Sequence, residues 1–413
     1  MKSKVKLRDK IFITIIILIT ARLGVFIPVP GIDHSSLYSS FTKNGFVNFL
    51  NIFSGGGLST IGVFALGIVP YINSSIMVQI LTKIIPELEN LQKDEGASGR
   101  QKITQLTRYL TLLWGLIQSS IVAFWVKPYV FNWNVYFLID IILALTTGSI
   151  IIMWFAEVIS EYGIGNGASL LIFQNIVSGI PKIFTHYNIQ LNSKGTTSNV
   201  MLILVIFIAM LMTTISMQEG KRKIPIISAK QLSKIQNLSP QSYIPLKVNQ
   251  GGVMPLVFAS AAMALPNYFI QRDITRETIV KTFLRLLISN SFVYLSLYCV
   301  LILLFSYFYS SLILNPEDIA KNLKKMGASI PEIRPGFDTI KYLDRILNKL
   351  TFLGAIFLFI IAFVPSIISS LTGNQSFRGF GVTSLLILVS VAIDTAKQIQ
   401  TYIISQQYDN MME

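Results

Sequence analysis

The chain has 413 residues, of which 52% are hydrophobic and only 13% are charged. A soluble globular protein carries about 25% charged residues, so this composition excludes an ordinary water-soluble domain and predicts an integral membrane protein. The formal net charge of +14 would favour nucleic-acid binding in a soluble protein. In a membrane protein, the excess of lysine and arginine instead indicates which side of the bilayer carries the basic loops.

Apolar runs of about 20 residues are long enough to cross a bilayer as helices, and the chain contains ten of them. Basic residues precede the first run, but no small-residue cleavage site follows it, so we expect an uncleaved membrane helix rather than a secretory signal. In chain order, the predicted spans are residues 11–27, 61–84, 103–126, 136–157, 168–184, 200–217, 253–270, 283–310, 350–371 and 383–404.

The distribution of basic residues sets the expected orientation. If the N-terminus lies in the cytosol, or in the stroma of a plastid, that side carries 24 of the 34 lysines and arginines, and the far side carries 9. Membrane proteins concentrate lysine and arginine on the cytosolic side. The pattern therefore favours an even number of spans with both termini on that side.

Two of the basic loops on this side are long, residues 218–252 and 311–349. Both are polar and contain several prolines, and long loops without secondary structure of their own are usually functional or disordered. Anchoring of the topology would explain their charge but not their length. We therefore expect them to dock a cytosolic partner, because arginine suits the recognition of carboxylates and phosphates.

The stretch that follows the first span, residues 46–85, is too long for one helix and contains Gly55, Gly56 and Gly57. Each glycine inside a helix costs about 1 kcal/mol relative to alanine, so we expect a short element, a flexible joint and then a true span. Irregular backbone at membrane depth is tolerated only where it is buried in protein or lines a watery cavity. The stretch therefore predicts a segment that lines or fills a pore, with a short helix on the membrane surface as the alternative.

Nothing in the chain indicates catalysis. Cys299 is the only cysteine, and His34 and His186 have no partners at metal-ligand spacing. Residues 163–167 read GIGNG, but they lack the lysine and the preceding strand of a phosphate-binding loop. We interpret them as a sharp turn with Asn166 capping the next helix. We expect no enzymatic activity, no metal site and no cofactor.

Seven motifs, in a shared order that covers nearly the whole chain, resemble those of the SecY family of protein-translocation channels. They are residues 51–74 (NIFSGGGLSTIGVFALGIVPYINS), 95–108 (EGASGRQKITQLTR), 163–173 (GIGNGASLLIF), 245–255 (PLKVNQGGVMP), 322–328 (NLKKMGA), 333–336 (IRPG) and 383–387 (TSLLI).

This resemblance implies an all-α integral membrane protein with ten transmembrane helices in two pseudo-symmetric halves of five around a central pore. The N-terminal half would be residues 1–187, with a short plug helix at about 48–64, and the C-terminal half would be residues 198–413. The chain would be the central channel subunit of the Sec translocon. It would pass unfolded polypeptides across the membrane and release transmembrane segments sideways into lipid between the second and seventh spans.

The resemblance also implies roles for particular residues. An aliphatic ring would form the waist of the pore, and a glycine-rich plug would block it from the far side. A basic surface would bind the cytosolic partner. The implied ring is Ile68, Ile72, Ile172, Val257 and Ile387; the plug residues are Phe53, Ser54, Gly55, Gly56, Gly57 and Leu58; the partner-binding residues are Lys221, Arg222, Lys223 and Arg334.

As a passive channel, such a chain would need partners. The family implies a small SecE-like subunit, a possible SecG-like subunit, and either the SecA motor or a translating ribosome. The short C-terminal tail and the abundance of Ile, Lys and Asn resemble plastid-encoded members, which implies the thylakoid membrane, with a bacterial plasma membrane as the alternative. The alternative function is a secondary transporter with broken helices, a class that should show convergent polar residues at membrane depth. Such residues are scarce in these spans.

Overall fold

The structure is a computed structural model that describes residues 7–34, 36, 61–94, 96–190, 196–228, 242–252, 255, 258–259, 262–263, 291–372 and 383–412. The chain forms two compact units. One contains Met1–Ser198 together with Val391–Glu413, and the other contains Asn199–Ser390.

Helices dominate the first unit. In chain order they are α1 (Leu7–Val25), α2 (Val69–Ile84), α3 (Pro86–Asp94), α4 (Gly96–Val126), α5 (Val135–Tyr162) and α6 (Gly167–Gln190). A short 3₁₀ turn, Lys127–Tyr129, leads from α4 towards α5, and these two helices pack against each other. Helix α7 (Thr196–Glu219) then leads into the second unit.

The second unit contains helices and a small sheet. Its described elements include strands β1 (Lys221–Ser228) and β2 (Ser242–Lys247), helices α8 (Ser291–Ile313) and α9 (Pro316–Lys325), strand β3 (Ala328–Ser329) and helix α10 (Phe337–Thr372). The three strands form an antiparallel sheet in the order β2-β1-β3. The last helix, α11 (Thr383–Met412), begins in this unit and ends in the first.

The membrane-spanning character expected from the sequence is visible in the helices. Among the described residues, four helical stretches are long and apolar enough to cross a bilayer: Ser98–Tyr129, Val135–Tyr162, Ser296–Lys325 and Phe337–Val364. Helix α4 shows how such a helix presents itself. Leu113, Ile117 and Ile121 lie one turn apart and are exposed, and an exposed apolar stripe of this kind suits contact with lipid.

The core of the first unit lies where the chain segment after α1 meets the facing ends of α4 and α5. Its buried residues include Ile61, Ala65 and Leu66, which precede α2, together with Val126 of α4 and Ile141 of α5. Backbone hydrogen bonds add to this packing, since Val29 N donates to Ile61 O at 3.0 Å and Asp33 N donates to Tyr129 O at 2.8 Å.

Two apolar clusters lie among the described residues of the second unit. One lies among the helices and includes Ile302 of α8, Leu358 and Ile361 of α10, and Leu386 of α11. The other joins the sheet to α9 and the start of α10. Its buried members are Ile224, Leu246, Leu323, Ile330, Leu343, Ile346, Leu347 and Leu350.

Several element boundaries differ from the sequence-based expectations. The second span was predicted from residue 61, but α2 begins at Val69 because residues 61–68 form a series of turns. The ninth span was predicted from residue 350, but α10 begins at Phe337. The two long loops contain three strands and α9, none of which was predicted. The seventh predicted span, residues 253–270, lies almost wholly outside the described residues.

Candidate functional site: a buried turn segment and a basic module

The turn segment, residues 61–68, includes the last four residues of the predicted plug stretch, leads to α2 and is buried in the first unit. It begins at Ile61, which is fully buried and has a φ of 39°, a conformation that β-branched residues rarely adopt. Backbone pairing with the chain after α1 supports it, since Val63 N donates to Ile27 O at 2.9 Å. The segment ends where α2 begins, with Pro70 in the first helical turn.

Two glycines allow the turn segment to lie directly against its neighbours. A Cβ atom on Gly62 would overlap the Val25 carbonyl at the end of α1. A Cβ atom on Gly148, in the middle of α5, would overlap the Val63 carbonyl. Both obstructing groups belong to the backbone, so they cannot turn aside as a side chain would. The segment is therefore held by close backbone contact on two sides.

The structure describes four of the five predicted ring residues, and Val257 lies outside the described part of the chain. Ile68 is 1% exposed at the start of α2, and Ile72 is half-buried one turn later, with its N–H donating to Ile68 O at 3.1 Å. Ile172 is buried in the second turn of α6, in the same unit. Ile387 is buried near the start of α11, in the second unit.

The predicted plug residues, Phe53, Ser54, Gly55, Gly56, Gly57 and Leu58, lie outside the described residues. The structure does describe the last part of the predicted plug stretch, residues 61–64, in which Ile61, Gly62 and Phe64 are buried. The Phe64 ring also meets the Phe155 ring of α5 edge-on, with centroids 6.4 Å apart. The C-terminal end of that stretch is therefore part of the folded core.

The predicted partner-binding residues lie on the small sheet and on the turn before α10. Lys221, Arg222 and Lys223 are exposed at the start of β1. The Lys223 ammonium lies 4.9 Å from the centre of the Tyr243 ring on β2, a favourable cation–π arrangement. Pairing with β2 also holds the backbone of the three residues, with Lys221 opposite Lys247.

Arg334 is exposed on a structured turn. The Thr339 hydroxyl in the first turn of α10 donates to Arg334 O at 2.9 Å. The preceding residue, Ile333, packs against the apolar cluster under the sheet. These contacts hold the backbone at Arg334, and neither of them involves the guanidinium.

The described parts of the two long loops thus fold together into one small module, which we call the basic module: β1, β2, α9, β3 and the first turns of α10. Strand β1 pairs with β2 from its own loop and with β3 from the other loop, where Ile227 lies opposite Ser329. Both loops contribute to one apolar cluster through Ile224 and Leu343. The sequence predicted basic surfaces on both loops, but not that one folded module carries them.

A partly buried ion pair between α4 and α5 was not predicted from the sequence. Arg108 donates to both carboxylate oxygens of Glu157, from Nε at 2.9 Å and from Nη2 at 2.8 Å. The Glu157 side chain is only 14% exposed. A bidentate pair of this kind fixes the geometry of its two partners. The pair therefore holds the two helices in one relative position.

The predicted turn at residues 163–167 is confirmed. The Asn166 side chain accepts hydrogen bonds from Ala168 N at 3.1 Å and Ser169 N at 3.4 Å, which caps α6. Gly165 N in turn donates to the side chain of Gln398 on α11 at 2.9 Å. The turn is thus both a helix cap and a docking point for the last helix.

Comparison with known proteins identifies the family of this chain. A family model described as SecY matches residues 62–396. The protein translocase subunit SecY of Porphyra purpurea is 63% identical over 411 residues and covers 100% of both chains. The subunit of the same name from Synechococcus elongatus is 50% identical and covers 98% of this chain and 94% of its own.

A solved structure shares the fold. Sec61 in the canine ribosome-channel complex from the endoplasmic reticulum superposes with a TM-score of 0.64 at 17% sequence identity, covering 98% of this chain and 94% of its own. The family model and the curated relatives do not favour the alternative of a secondary transporter. The family match and the relatives show that the chain belongs to the SecY family of translocation-channel subunits, which are multi-pass membrane proteins and not enzymes.

Proposed function

We propose that the waist of the channel in this chain is formed by Ile68, Ile72, Ile172, Val257 and Ile387. One observation carries the proposal. The buried, non-helical turn segment ends at Ile68, and Ile72 lies in the first turn of the helix α2 that follows. Irregular backbone at membrane depth is expected only inside protein or beside a watery cavity.

Branched aliphatic side chains suit this role because they offer no hydrogen-bond donor or acceptor. Water and ions that pass a narrow ring of this kind lose solvation and gain no replacement ligands, so the ring resists their passage. An unfolded polypeptide brings apolar side chains of its own and can slide past a surface that binds nothing specifically. The same ring would thus block ions and water when the channel is at rest and fit closely around the polypeptide during transport.

The experiment that tests the ring replaces Ile72 with asparagine in the chain reconstituted with its partner subunits. We expect ion conductance across planar bilayers to rise at least about tenfold, because a polar side chain lowers the cost of wetting the constriction. The matched control is Met77→Gln, which places an amide on an exposed position of the same helix. An unchanged conductance in the Ile72→Asn variant would remove Ile72 from the waist.

We propose that Phe53, Ser54, Gly55, Gly56, Gly57 and Leu58 form the plug, and that its C-terminal anchor is the turn segment. The buried position of Ile61 and the close contact at Gly62 support an anchor at this point. A displaceable plug needs a fixed end so that it can return after each transport event. The lateral exit would lie between the second and seventh spans.

We propose that the basic module is the docking surface for the cytosolic partner, through Lys221, Arg222, Lys223 and Arg334. The folded module supports this role because it presents exposed cations from a rigid base. A ribosome is one such partner by analogy with the canine ribosome-channel complex, and a SecA motor is the other. Both carry acidic groups or phosphates that arginine can bind in bidentate fashion.

Charge reversal at Arg334 tests the docking surface. Arg334→Glu should lower partner-driven transport at least about tenfold, the size of effect typical of a central interface arginine. The matched control is Lys324→Glu on α9, an exposed cation of the same module with the same change in charge. Equal transport by the two variants would remove Arg334 from the docking surface.

We propose a thylakoid location and a complex with a SecE-like and a SecG-like subunit. The high identity to the Porphyra purpurea and Synechococcus elongatus proteins supports a photosynthetic setting. Fractionation of native membranes followed by co-purification tests both points. The proposal requires the chain in the thylakoid fraction with a small single-span partner, and recovery in another membrane or without such a partner would contradict it.

A further inference from the structure

A groove between α8 and α10 in the second unit has a volume of about 500 Å³ and combines cations with aromatic rings. Helix α10 contributes Lys341, Arg345 and Lys349 to its polar end. Tyr307 of α8 and Phe352 of α10 line its other end. None of the proposed ring, plug or partner-binding residues is among the residues that line it.

The three cations form a single stripe on α10. They are spaced four residues apart, so they lie one above the other on one face of the helix. All three are exposed, and within the described part of the chain none of their side chains forms an ion pair or a hydrogen bond. Asp344 lies beside them and accepts a hydrogen bond from Asn348 at 3.2 Å, so the groove has a net charge of about +2 when single-charge side chains are counted.

The rotation of α10 is fixed by its opposite face. Leu343, Ile346, Leu347 and Leu350 are all buried in the apolar cluster of the basic module. Rotating the helix to hide its cations would expose these four side chains to water. The cationic stripe therefore points outward as a permanent feature of the fold.

The exposed face of α10 becomes apolar on the C-terminal side of the three cations. Phe352, Ile356 and Ile360 continue the same side of the helix and are 53%, 39% and 50% exposed. On the facing helix α8, Leu304 and Val300 are likewise exposed beyond Tyr307. A groove that is cationic at one end and apolar along the rest matches an amphiphile with an anionic head and hydrocarbon tails.

Hydrogen bonds join α8 and α10 near the point where the groove changes from cationic to apolar. The hydroxyls of Ser310 on α8 and Thr351 on α10 share a hydrogen bond of 2.7 Å and are buried. Ser310 also donates to the Gln250 side chain at 3.0 Å. The spacing between the two helices is thus set by buried polar contacts directly behind Tyr307 and Phe352.

We infer that this groove is a binding site for an anionic membrane lipid of the leaflet that faces the basic module. The negatively charged headgroup lies among Lys341, Arg345 and Lys349, and the acyl chains lie along the exposed apolar faces of α8 and α10. Basic pockets at the ends of transmembrane helices suit anionic headgroups. An acidic protein or RNA would meet only the cationic end, because the apolar end continues down helices that span the membrane.

Site-directed fluorescence tests the inference. The substitution Tyr307→Trp places a reporter in the groove, and the four native tryptophans are measured in the otherwise unchanged parent and subtracted. The complex is placed in nanodiscs that contain brominated phosphatidylglycerol, an anionic lipid, or brominated phosphatidylcholine, which is neutral overall. Each net charge near an anionic lipid is worth about fivefold in binding, so we expect phosphatidylglycerol to be preferred by roughly 25-fold.

Further substitutions, made in the chain that carries Tyr307→Trp, test whether the groove charges cause the lipid preference. Replacing Lys341, Arg345 and Lys349 together with glutamine should abolish the preference, whereas Asp344→Asn should raise it about fivefold. The control replaces Lys321, Lys324 and Lys325 on α9 with glutamine, which removes the same charge from exposed positions outside the groove. It should leave the preference within about twofold of the parent.

Three results would overturn the inference. The first is equal quenching of the tryptophan at position 307 by both brominated lipids when the groove is otherwise unchanged. The second is an unchanged preference for phosphatidylglycerol when the three groove cations are removed. An equal loss of preference in the α9 control counts in the same way, because it would show that the lipid responds only to the overall positive charge of the basic module. The third is retained lipid preference in the triple glutamine variant combined with lost partner binding, which would assign the stripe to a protein or RNA partner.

Discussion

The turn segment and the basic module are both irregular by the standards of a helical membrane protein, yet they are stabilised in opposite ways. The turn segment is held by backbone contact with α1 and α5, made possible by Gly62 and Gly148. The basic module is held by interlocking apolar side chains such as Ile224 and Leu343 beneath a charged exterior. Two contacts of the turn segment leave no room for a side chain, whereas the module depends on side-chain packing throughout.

The difference follows from the surroundings of each region. At membrane depth, unpaired backbone groups find no water, so an irregular segment must lie close to protein and pair internally. Outside the apolar spans, a small domain can follow the rules of soluble proteins, with buried leucines inside and lysines outside. The proposed functions follow the same division, because a seal needs an apolar base and a docking surface needs exposed charge.

The largest expected effect is a change that breaks the close contact of the turn segment. Gly148→Ala places a Cβ against the Val63 carbonyl, and overpacking against fixed backbone should cost about 3 kcal/mol, the upper end of the usual range. Thermal unfolding of the purified complex in detergent measures the loss. The control is Gly115→Ala on the facing helix α4, whose Cβ would meet Ser149 Oγ at 3.1 Å.

In that control the obstructing group is a side chain, which can move, so the cost should stay below about 1 kcal/mol. Equal stability of the two variants would show that the segment is not held by backbone contact. A large loss in both would show that the α4–α5 interface as a whole, rather than the turn segment, is the tightly packed region.

A smaller effect is expected from a cavity in the basic module. Leu343 is fully buried, and Leu343→Ala should destabilise the module by about 2 to 3 kcal/mol. The loss should be local, so the variant should still insert in the membrane but lose partner-driven transport. Hydrogen exchange at the amides of β1 and β2 measures the local opening.

The same measurement on α4 and α5 serves as the internal control for Leu343→Ala. Their protection should be unchanged if the module is an independently stabilised region. Faster exchange throughout both units would contradict the separation drawn between the module and the turn segment.

The smallest expected effects come from two matching helix caps, one in each unit. Asn166 caps α6 and Asn315 caps α9, each by accepting a hydrogen bond of 3.1 Å from a backbone N–H. Replacing either with alanine should cost about 1 kcal/mol, measured as a shift in the thermal midpoint. Because Gly165 next to Asn166 also binds Gln398, Asn166→Ala should in addition loosen α11, whereas Asn315→Ala should not.

Exchange at the amides of α11 distinguishes the two caps. Faster exchange in Asn166→Ala alone is the expected result. If both variants or neither variant loosened α11, the turn at residues 163–167 would not be the docking point for the last helix.

Hydropathy predicted the spans well where one helix is both long and apolar. Helices α4 and α5 contain their predicted spans, and α1 overlaps its own with a shift of a few residues. It failed at the start of α10, because residues 337–349 are polar on average. The helical signal there is periodic rather than hydrophobic: Leu343, Ile346, Leu347 and Leu350 recur every three to four residues and form the buried face.

The site was predictable in parts. The family motifs marked Ile68, Ile72 and Arg334, and the glycine-rich sequence indicated an irregular segment before α2. That residues 61–68 form turns had a local signal in Gly67 and Pro70, which precede and open α2. The pairing of β1 with β3 had none, because it joins two loops separated by about 100 residues and depends on tertiary contact.

The central claim is that a plug anchored at the turn segment seals an aliphatic waist, and a short deletion tests it most directly. Removing residues 53–58 leaves Ile61 and the core intact, so the chain should fold and insert normally. The account predicts that the resting ion conductance of the reconstituted complex rises well above that of the full-length chain while polypeptide transport continues. A correctly folded deletion variant that is as impermeable to ions at rest as the full-length chain would contradict it.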